Sequence, residues 1–317
     1  MREYTRLGNR QTRTRPWVPS DPGKYIRRDP PHWQIMVLPT ALTIAGSDCS
    51  GGAGIQADLK AFSANGVFGQ SAIVALVDEN TLGVYDIHKV PGKFVEQQIR
   101  TCLDDIGADA IKIGMLDDSG IVRTVKNTLA AYRGKVPAID RIVLDPVMVS
   151  TSGHKLLEDS AIDVLKQEML GFVRVITPNI PEAELLLQHK IGNASEFPDA
   201  ARKLSELGNV NRTCPHKLSV LLKAGHLDDR SGQVVDYFFD ADANVMHKLP
   251  HPRVESSNTH GTGCSLSSAL AAHLARGESL ETAARKAVEY IAEAIIVSKD
   301  RSVGKGHGPL HHFYRWW

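Results

Sequence analysis

Apolar and polar positions alternate between two regimes along most of the chain. From about residue 40, short β-branched and aliphatic runs recur: 41–46 (ALTIAG), 71–77 (SAIVALV), 110–114 (AIKIG), 141–145 (RIVLD), 173–178 (VRVITP) and 218–224 (LSVLLKA). Runs that are apolar on both alternate sets fit strands buried on both faces. Between many of them the period lengthens to that of a helix. Ile121, Val122, Val125 and Leu129 form one such stripe, and Leu280, Ala284, Ala287, Val288, Ile291 and Ile295 form another. Strands alternating with helices predict one α/β domain, a mainly parallel sheet with helices on both faces. Residues 234–239 and 245–249, on either side of the turn-forming Asp240 to Asn244, predict an antiparallel excursion.

The first 36 residues break the pattern. Seven arginines and Lys24 face only Glu3, Asp21 and Asp29, and prolines at 16, 19, 22, 30 and 31 interrupt any helix. This composition predicts a disordered basic tail, 1–36, ahead of a folded domain, 37–317. The whole chain carries 37 basic and 36 acidic residues, so its net charge of +1 gives no reason to expect a nucleic-acid partner. No apolar run reaches the roughly 18 residues of a membrane span. Cys49, Cys102, Cys214 and Cys264 are scattered without metal-ligand spacing, which favours a reducing, cytoplasmic setting over a disulfide framework. A homodimer is allowed by the sequence but not required by it.

In open α/β sheets ligands bind beyond the carboxyl ends of the strands. Three strand-to-helix loops therefore draw interest. GSDCSGGAG, 46–54, is neither a dinucleotide fingerprint nor a Walker loop. Its glycines permit close backbone approach and Asp48 offers a carboxylate, although a tight turn with a capping aspartate explains it equally. Asn258-Thr-His-Gly-Thr-Gly-Cys264 runs into a helix marked by Leu266, Ala269, Leu270, His273 and Leu274. A glycine turn at a helix N-terminus aims unpaired amides at one point and forms an anion hole. Cys264 at that helix start is expected to have a lowered thiol pKa. The third loop, Thr177 to Glu182, combines Pro181 and Glu182, a pair suited to a helix first turn or to holding Mg²⁺ through water. Asp145 is a second candidate for the metal, and Lys223 could meet a phosphate as a point charge. His307, His311 and His312 lack a supporting ligand and are not read as a metal site.

Taken together, ALTIAGSDCSGGAGIQADLKAFSANG, NTLGV, IKIGML, LDPVMVSTSG, TPNIPEAELL, LLKAGH, NTHGTGC and VGKGHGPLHHF resemble, in order, the hydroxymethylpyrimidine/phosphomethylpyrimidine kinase family of thiamine biosynthesis. The resemblance spans residues 41–317. It implies a ribokinase-like three-layer αβα fold, ATP as phosphoryl donor, Mg²⁺, and a small pyrimidine alcohol as substrate. It also implies roles: Gly261, Thr262 and Gly263 as the anion hole and Cys264 as base. Asn179 and Lys223 would meet the nucleotide, Glu182 and Asp145 the metal. Gly46, Asp48, Ala53, Glu79 and Met115 would form the pyrimidine pocket. Two departures stand out. Ala224 replaces a usual glycine, and Asp78-Glu79 replaces a usual Ala-Gln whose amide pairs with the aminopyrimidine edge. The second leaves open another ring alcohol such as pyridoxine, or a ligand-binding protein that has lost catalysis.

Overall fold

The computed structural model describes residues 38–148, 159–225 and 232–317. The basic tail, residue 37, the end of the LDPVMVSTSG motif (149–153) and His226 lie outside the described residues.

The chain order is β1 (Thr40–Ala45), α1 (Gly54–Ala64), β2 (Phe68–Ile73), β3 (Ala75–Asn80), β4 (Gly83–Lys89), α2 (Gly92–Asp105), β5 (Ala110–Ile113) and α3 (Ser119–Ala130). It continues with β6 (Ile142–Leu144), α4 (Asp159–Val164), β7 (Val175–Ile176), α5 (Ile180–Leu187), α6 (Phe197–Asn209) and β8 (Ser219–Leu222). The last elements are β9 (Gln233–Asp240), β10 (Val245–Pro252), α7 (Thr262–Ala275) and α8 (Leu280–Ser298). Eight strands make one sheet in the order β10-β9-β8-β7-β6-β5-β1-β2. Neighbours from β2 to β8 run parallel, and β9 and β10 turn antiparallel at one edge, as their flanking turn predicts.

Alternate strand residues feed two cores. Ala41, Ala110, Val143, Val175 and Leu221 pack with α1, α7 and α8. Leu42, Ile111, Ile142, Ile176 and Val220 pack with α2 to α6 on the other side. The first core is rich in alanine, so α7 comes close to the sheet and lies against its central strands β1, β5 and β6. Its N-terminus is thereby held over the strands' carboxyl ends. The three-layer αβα architecture expected from the sequence is the one found. Among the described residues no helix is long and apolar enough to cross a membrane.

The run 71–77 was expected to be a single strand, and the structure corrects this. The chain leaves the main sheet at Val74, whose N–H donates to Ala45 O, and Ala75 begins a separate two-stranded antiparallel sheet, β3–β4. Ala72 before the break and Ala75 and Val77 after it are all buried, so hydrophobicity alone does not mark the break. This two-stranded flap stands beside the carboxyl end of β1, where Ser47 N–H donates to Ala75 O.

Candidate active site

Two glycine-rich loops interlock at the top of the sheet. The loop after β1 is folded around Asp48, which accepts hydrogen bonds from Ser50 N (2.7 Å), Ala53 N (2.6 Å) and His260 Nε2 (2.8 Å). Burial works against ionisation of Asp48, yet the His260 and backbone hydrogen bonds hold its carboxyl well below the usual range. His260 is in turn shifted upward: its burial is outweighed by the Asp48 bond and by the charges of Asp48 and Glu79. Gly261 has φ of +80° and lies so close to Gly52 that any side chain would enter the Gly52 carbonyl. This contact brings the start of α7 against the start of α1.

The open amides at the start of α7 are not the expected Gly261–Gly263 set, because Thr262 N–H already donates to Thr259 O at 3.2 Å. Among the described residues the Gly263 and Cys264 amides have no acceptor, as the first turn of a helix leaves them. A Cβ built on Gly263 would stand 3.3 Å from Lys223 Nζ and 3.5 Å from Asp145 Oδ2. Lys223, at the end of β8, pairs with Asp145 at 3.0 Å and approaches Glu182 at 4.0 Å. Thr177 Oγ1 donates to Asp145 Oδ1 at 3.0 Å. Glu182 and Asn179 form a reciprocal capping box on α5, with both bonds at 2.8 Å. Burial pushes Glu182 up to about 7; Lys223 opposes that rise and the Asp145 charge adds to it. The same opposition of burial by Asp145 and Glu182 leaves Lys223 shifted upward. Glu182 is thus both a helix-start acid and a member of a charged cluster.

Asp145, Asn179, Glu182, Lys223, Gly263 and Cys264 line one cleft of about 640 Å³. At one end it meets Ala45, Gly46, Ala53, Val77, Met115 and Glu79. Gly46 is bare because Met115 Cε fills the place its Cβ would need, only 2.8 Å away. A register shift between Asp78 and Glu79 interrupts the β3–β4 ladder, and Glu79 lies half-buried toward the cleft while Asp78 is exposed. Burial raises the Glu79 pKa above 4.5; His260 opposes the shift and Asp48 adds to it. Ligating atoms of Asp48, Glu79 and His260 lie within 4.8 Å of one another, a spacing that could also hold a metal ion.

Two expectations need correction. Asp48 is not among the residues that line the cleft; its three hydrogen bonds turn the carboxylate into its own loop and onto His260, which fits the capping-aspartate alternative better than direct contact with a ring. The Cys264 thiol is not lowered. Burial pushes it up to about 11; Lys112 opposes that rise, and Asp58 and Asp145 add to it. Cys264 is partly exposed where α7 meets the cleft, but its sulfur sits against Gly54 of α1, and the loss of water there outweighs the helix start. Ala224 is free of strain, since it is not among the residues with positive φ, and its N–H donates to Asp236 Oδ1 at 2.7 Å.

Sequence reasoning missed three features. The far end of the cleft is an apolar slot made by Val234, Val254, Val288, Ile291, Ala292 and Ile295. In the sequence the four on α8 are indistinguishable from the core residues of a helical stripe, and Val234 reads as an ordinary strand residue. Lys112, wholly buried, donates to Asp58 at 2.8 and 2.9 Å, and Thr43 and Ser268 complete the Asp58 shell at 2.6 and 2.7 Å. A lysine inside the apolar run AIKIG was the available signal. The Cys49 sulfur lies against both the carbonyl (3.1 Å) and the amide (3.4 Å) of Glu79. Of the histidines set aside as metal ligands, His312 meets Ser265 Oγ at 2.8 Å and His311 meets the Trp317 carbonyl.

A family model described as phosphomethylpyrimidine kinase matches residues 48–311. The hydroxymethylpyrimidine/phosphomethylpyrimidine kinase of Rhizobium meliloti is 42% identical over 277 residues, covering 87% of this chain and 98% of that protein. The chain spans about half the length of the bifunctional thiamine-biosynthesis relatives that it also matches. Among solved structures, a phosphomethylpyrimidine kinase from Clostridium difficile is 37% identical, covers 81% of this chain and 99% of that one, and superposes with a TM-score of 0.67. The pyridoxal kinase of Staphylococcus aureus with AMP-PCP and pyridoxal is 30% identical, covers 88% and 95%, and gives a TM-score of 0.75.

Proposed function

Because the chain belongs to the phosphomethylpyrimidine kinase family, we propose that its cleft transfers the γ-phosphoryl group of ATP to 4-amino-5-hydroxymethyl-2-methylpyrimidine, and then to the monophosphate, in thiamine biosynthesis. One observation carries the reading. The unpaired amides at the start of α7, with Lys223 beside them, lie between a ring-sized end holding Glu79 and an apolar slot suited to an adenine base. A phosphoryl group placed there has donors on one side and a cation on the other.

The donors fit a hard divalent cation. Asp145 and Glu182 are buried carboxylates that share one lysine, and Glu182 is raised mainly by burial, with Lys223 opposing and the Asp145 charge adding to the rise. They would hold Mg²⁺ through its water, and the ion would supply charge neutralisation on the nucleotide phosphates. The chain's own groups supply position. The α7 amides and Lys223 orient the transferred group, and Glu79 with Met115 orients the ring. Cys264 keeps its proton at neutral pH, so catalysis rests on alignment and charge more than on a strong base.

Glu79 explains how a carboxylate can serve where the resemblance implies an amide. Its raised pKa lets it share a proton with the ring: the acid donates to a ring nitrogen, or the carboxylate accepts from a protonated one and from the amino group. Either complex holds one proton more than ionised glutamate and neutral pyrimidine, so binding should weaken as pH rises above neutrality. The test is product analysis by ³¹P NMR with ATP, Mg²⁺ and the pyrimidine alcohol, its monophosphate or pyridoxine, from about pH 6 to 8. The expected result is mono- and diphosphate, with a KM for the pyrimidine that rises with pH in the wild type and stays flat in Glu79→Gln. Phosphorylation of pyridoxine alone overturns the substrate, and no ATP turnover with any alcohol overturns the kinase reading.

A further inference from the structure

The flap that carries Glu79 is fastened at its tip by a segment far away in sequence. Thr81 occupies the turn between β3 and β4. Its Oγ1 accepts from Lys305 N and Gly306 N, both at 3.2 Å, and its carbonyl accepts from His307 N at 2.8 Å. The fit is close enough to require glycine at 304 and 306. A Cβ on Gly304, where φ is +76°, would run into Thr81 Oγ1, and one on Gly306 would run into the Thr81 carbonyl. The clasp is itself anchored to the active site. Gly308 O accepts from His260 N at 3.1 Å, and Gly308 packs against Asn258, whose Nδ2 donates to the Ser298 and Arg301 carbonyls. One line of contacts thus joins the flap tip, residues 304–308 and the loop that bears His260 and Gly261. At the other side of Glu79, the Cys49 sulfur meets its backbone.

We propose that Thr81 and the glycine segment 304–308 form a latch that seats the flap and sets the position of Glu79 over the ring-binding end of the cleft. Thr81 is a positioning residue: it acts through Glu79 and does not line the cleft. The argument is geometric. A two-stranded sheet is marginal without further support, and β3–β4 stands apart from the main sheet. Its tip is held by three hydrogen bonds from one short segment, two of them to a single hydroxyl. Releasing that hydroxyl should let Glu79 wander from the ring while leaving the nucleotide end, on α7, α8 and β8, as it was.

The inference rests on the proposed substrate reading, and the experiment keeps the two separable. Thr81→Val keeps the shape and removes the acceptor, Thr81→Ser restores it, and Gly306→Ala strains the same contact from the opposite side. Steady-state kinetics with the pyrimidine alcohol should show KM raised about tenfold in Thr81→Val and Gly306→Ala, the loss of roughly one to two hydrogen bonds. KM for ATP should stay within twofold, the melting temperature should hold, and Thr81→Ser should recover most of the affinity. Hydrogen exchange, which needs no substrate, should be faster across 75–89 in the two defective variants and normal in Thr81→Ser. Unchanged exchange overturns the latch. Faster exchange with an unchanged KM overturns its role in positioning Glu79. A wild type that ignores the pyrimidine alcohol overturns the substrate reading, and the exchange data still decide the latch.

Discussion

Replacing Lys112 with methionine isolates the electrostatic core beneath the active site. Lys112 and Asp58 are both fully buried, and their Nζ–Oδ distances are 2.8 and 2.9 Å. Methionine nearly matches the lysine stem, so little cavity is opened and the main loss is the cation. Asp58 would keep the Thr43 and Ser268 hydrogen bonds but lose its counter-charge inside the protein. Removing one member of a buried pair costs about 3–5 kcal/mol. For a domain of this size that is a fall in Tm on the order of 10 °C. Burial lowers the Lys112 pKa, but the Asp58 and Asp145 charges, joined by Cys264 once that thiol ionises at high pH, more than reverse this and raise it above 10.5. A lysine raised on folding contributes its full stability below the unfolded pKa and loses it as pH climbs through the folded one. The deficit of Lys112→Met should therefore be constant from pH 6 to 9. Circular dichroism melts would measure it. The double variant Lys112→Met/Asp58→Asn, which removes both charges, should regain at least half of the lost Tm. A single-variant fall below about 2 °C, or a double variant no better than the single, would refute the claim that Asp58 is held as a buried anion.

Two further outcomes test the phosphoryl end. Cys264→Ser should slow phosphorylation of the alcohol and of its monophosphate by similar factors, because a thiol pushed up to about 11 is protonated at neutral pH. A loss confined to the alcohol, whose hydroxyl proton must be removed, would restore the general-base role. Glu182→Gln preserves the capping-box acceptor and deletes the charge, so the half-saturating Mg²⁺ concentration for turnover should rise while the fold persists. Glu182 sits at about 7 in the folded chain against 4.5 ordinarily, so wild-type stability should fall as pH climbs through that interval. Calorimetry should find a shallower slope in Glu182→Gln, and an identical slope with unchanged Mg²⁺ dependence would return the residue to a purely capping role.

The sheet was legible because β1, β5, β6 and β8 are short apolar runs with no competing helical period. Their carboxyl ends deliver Gly46, Met115, Asp145 and Lys223 to one cleft. The loop chemistry was legible where it is local, as in the helix start marked by Pro181 and Glu182, which the structure completes with an Asn179–Glu182 capping box. What failed depends on contacts distant in sequence. The bonds of Asp48 to Ser50 and Ala53 follow from the capping-aspartate turn that its loop allows, but its bond to His260, 212 positions away, has no local signal. The thiol of Cys264 illustrates the same limit. A helix start favours a thiolate, but the sign of the net shift depends on how much water the neighbouring elements exclude. Likewise, β2 and β3 read as one strand because both halves are apolar, and only the hydrogen bonds at Val74 separate them.

The two ends of the cleft share a charge arrangement that bears on how it selects ligands. Behind the proposed ring end, Asp48 and Glu79 lie by His260; at the proposed phosphoryl end, Asp145 and Glu182 face Lys223. In each cluster two carboxylates share one cation, and in each the less well-bonded carboxylate, Glu79 or Glu182, has its pKa raised by burial and by its acidic neighbour. Asp48 and Asp145 are the anchored members, holding several hydrogen bonds apiece. A site built this way is short of one positive charge until its ligand arrives. A proton shared with an aminopyrimidine would complete the first cluster, and a magnesium ion carried by the nucleotide would complete the second. A neutral ring lacking a basic nitrogen beside a donor would leave Glu79 to bear its desolvation alone, which is a physical reason for this cleft to reject simple sugar alcohols.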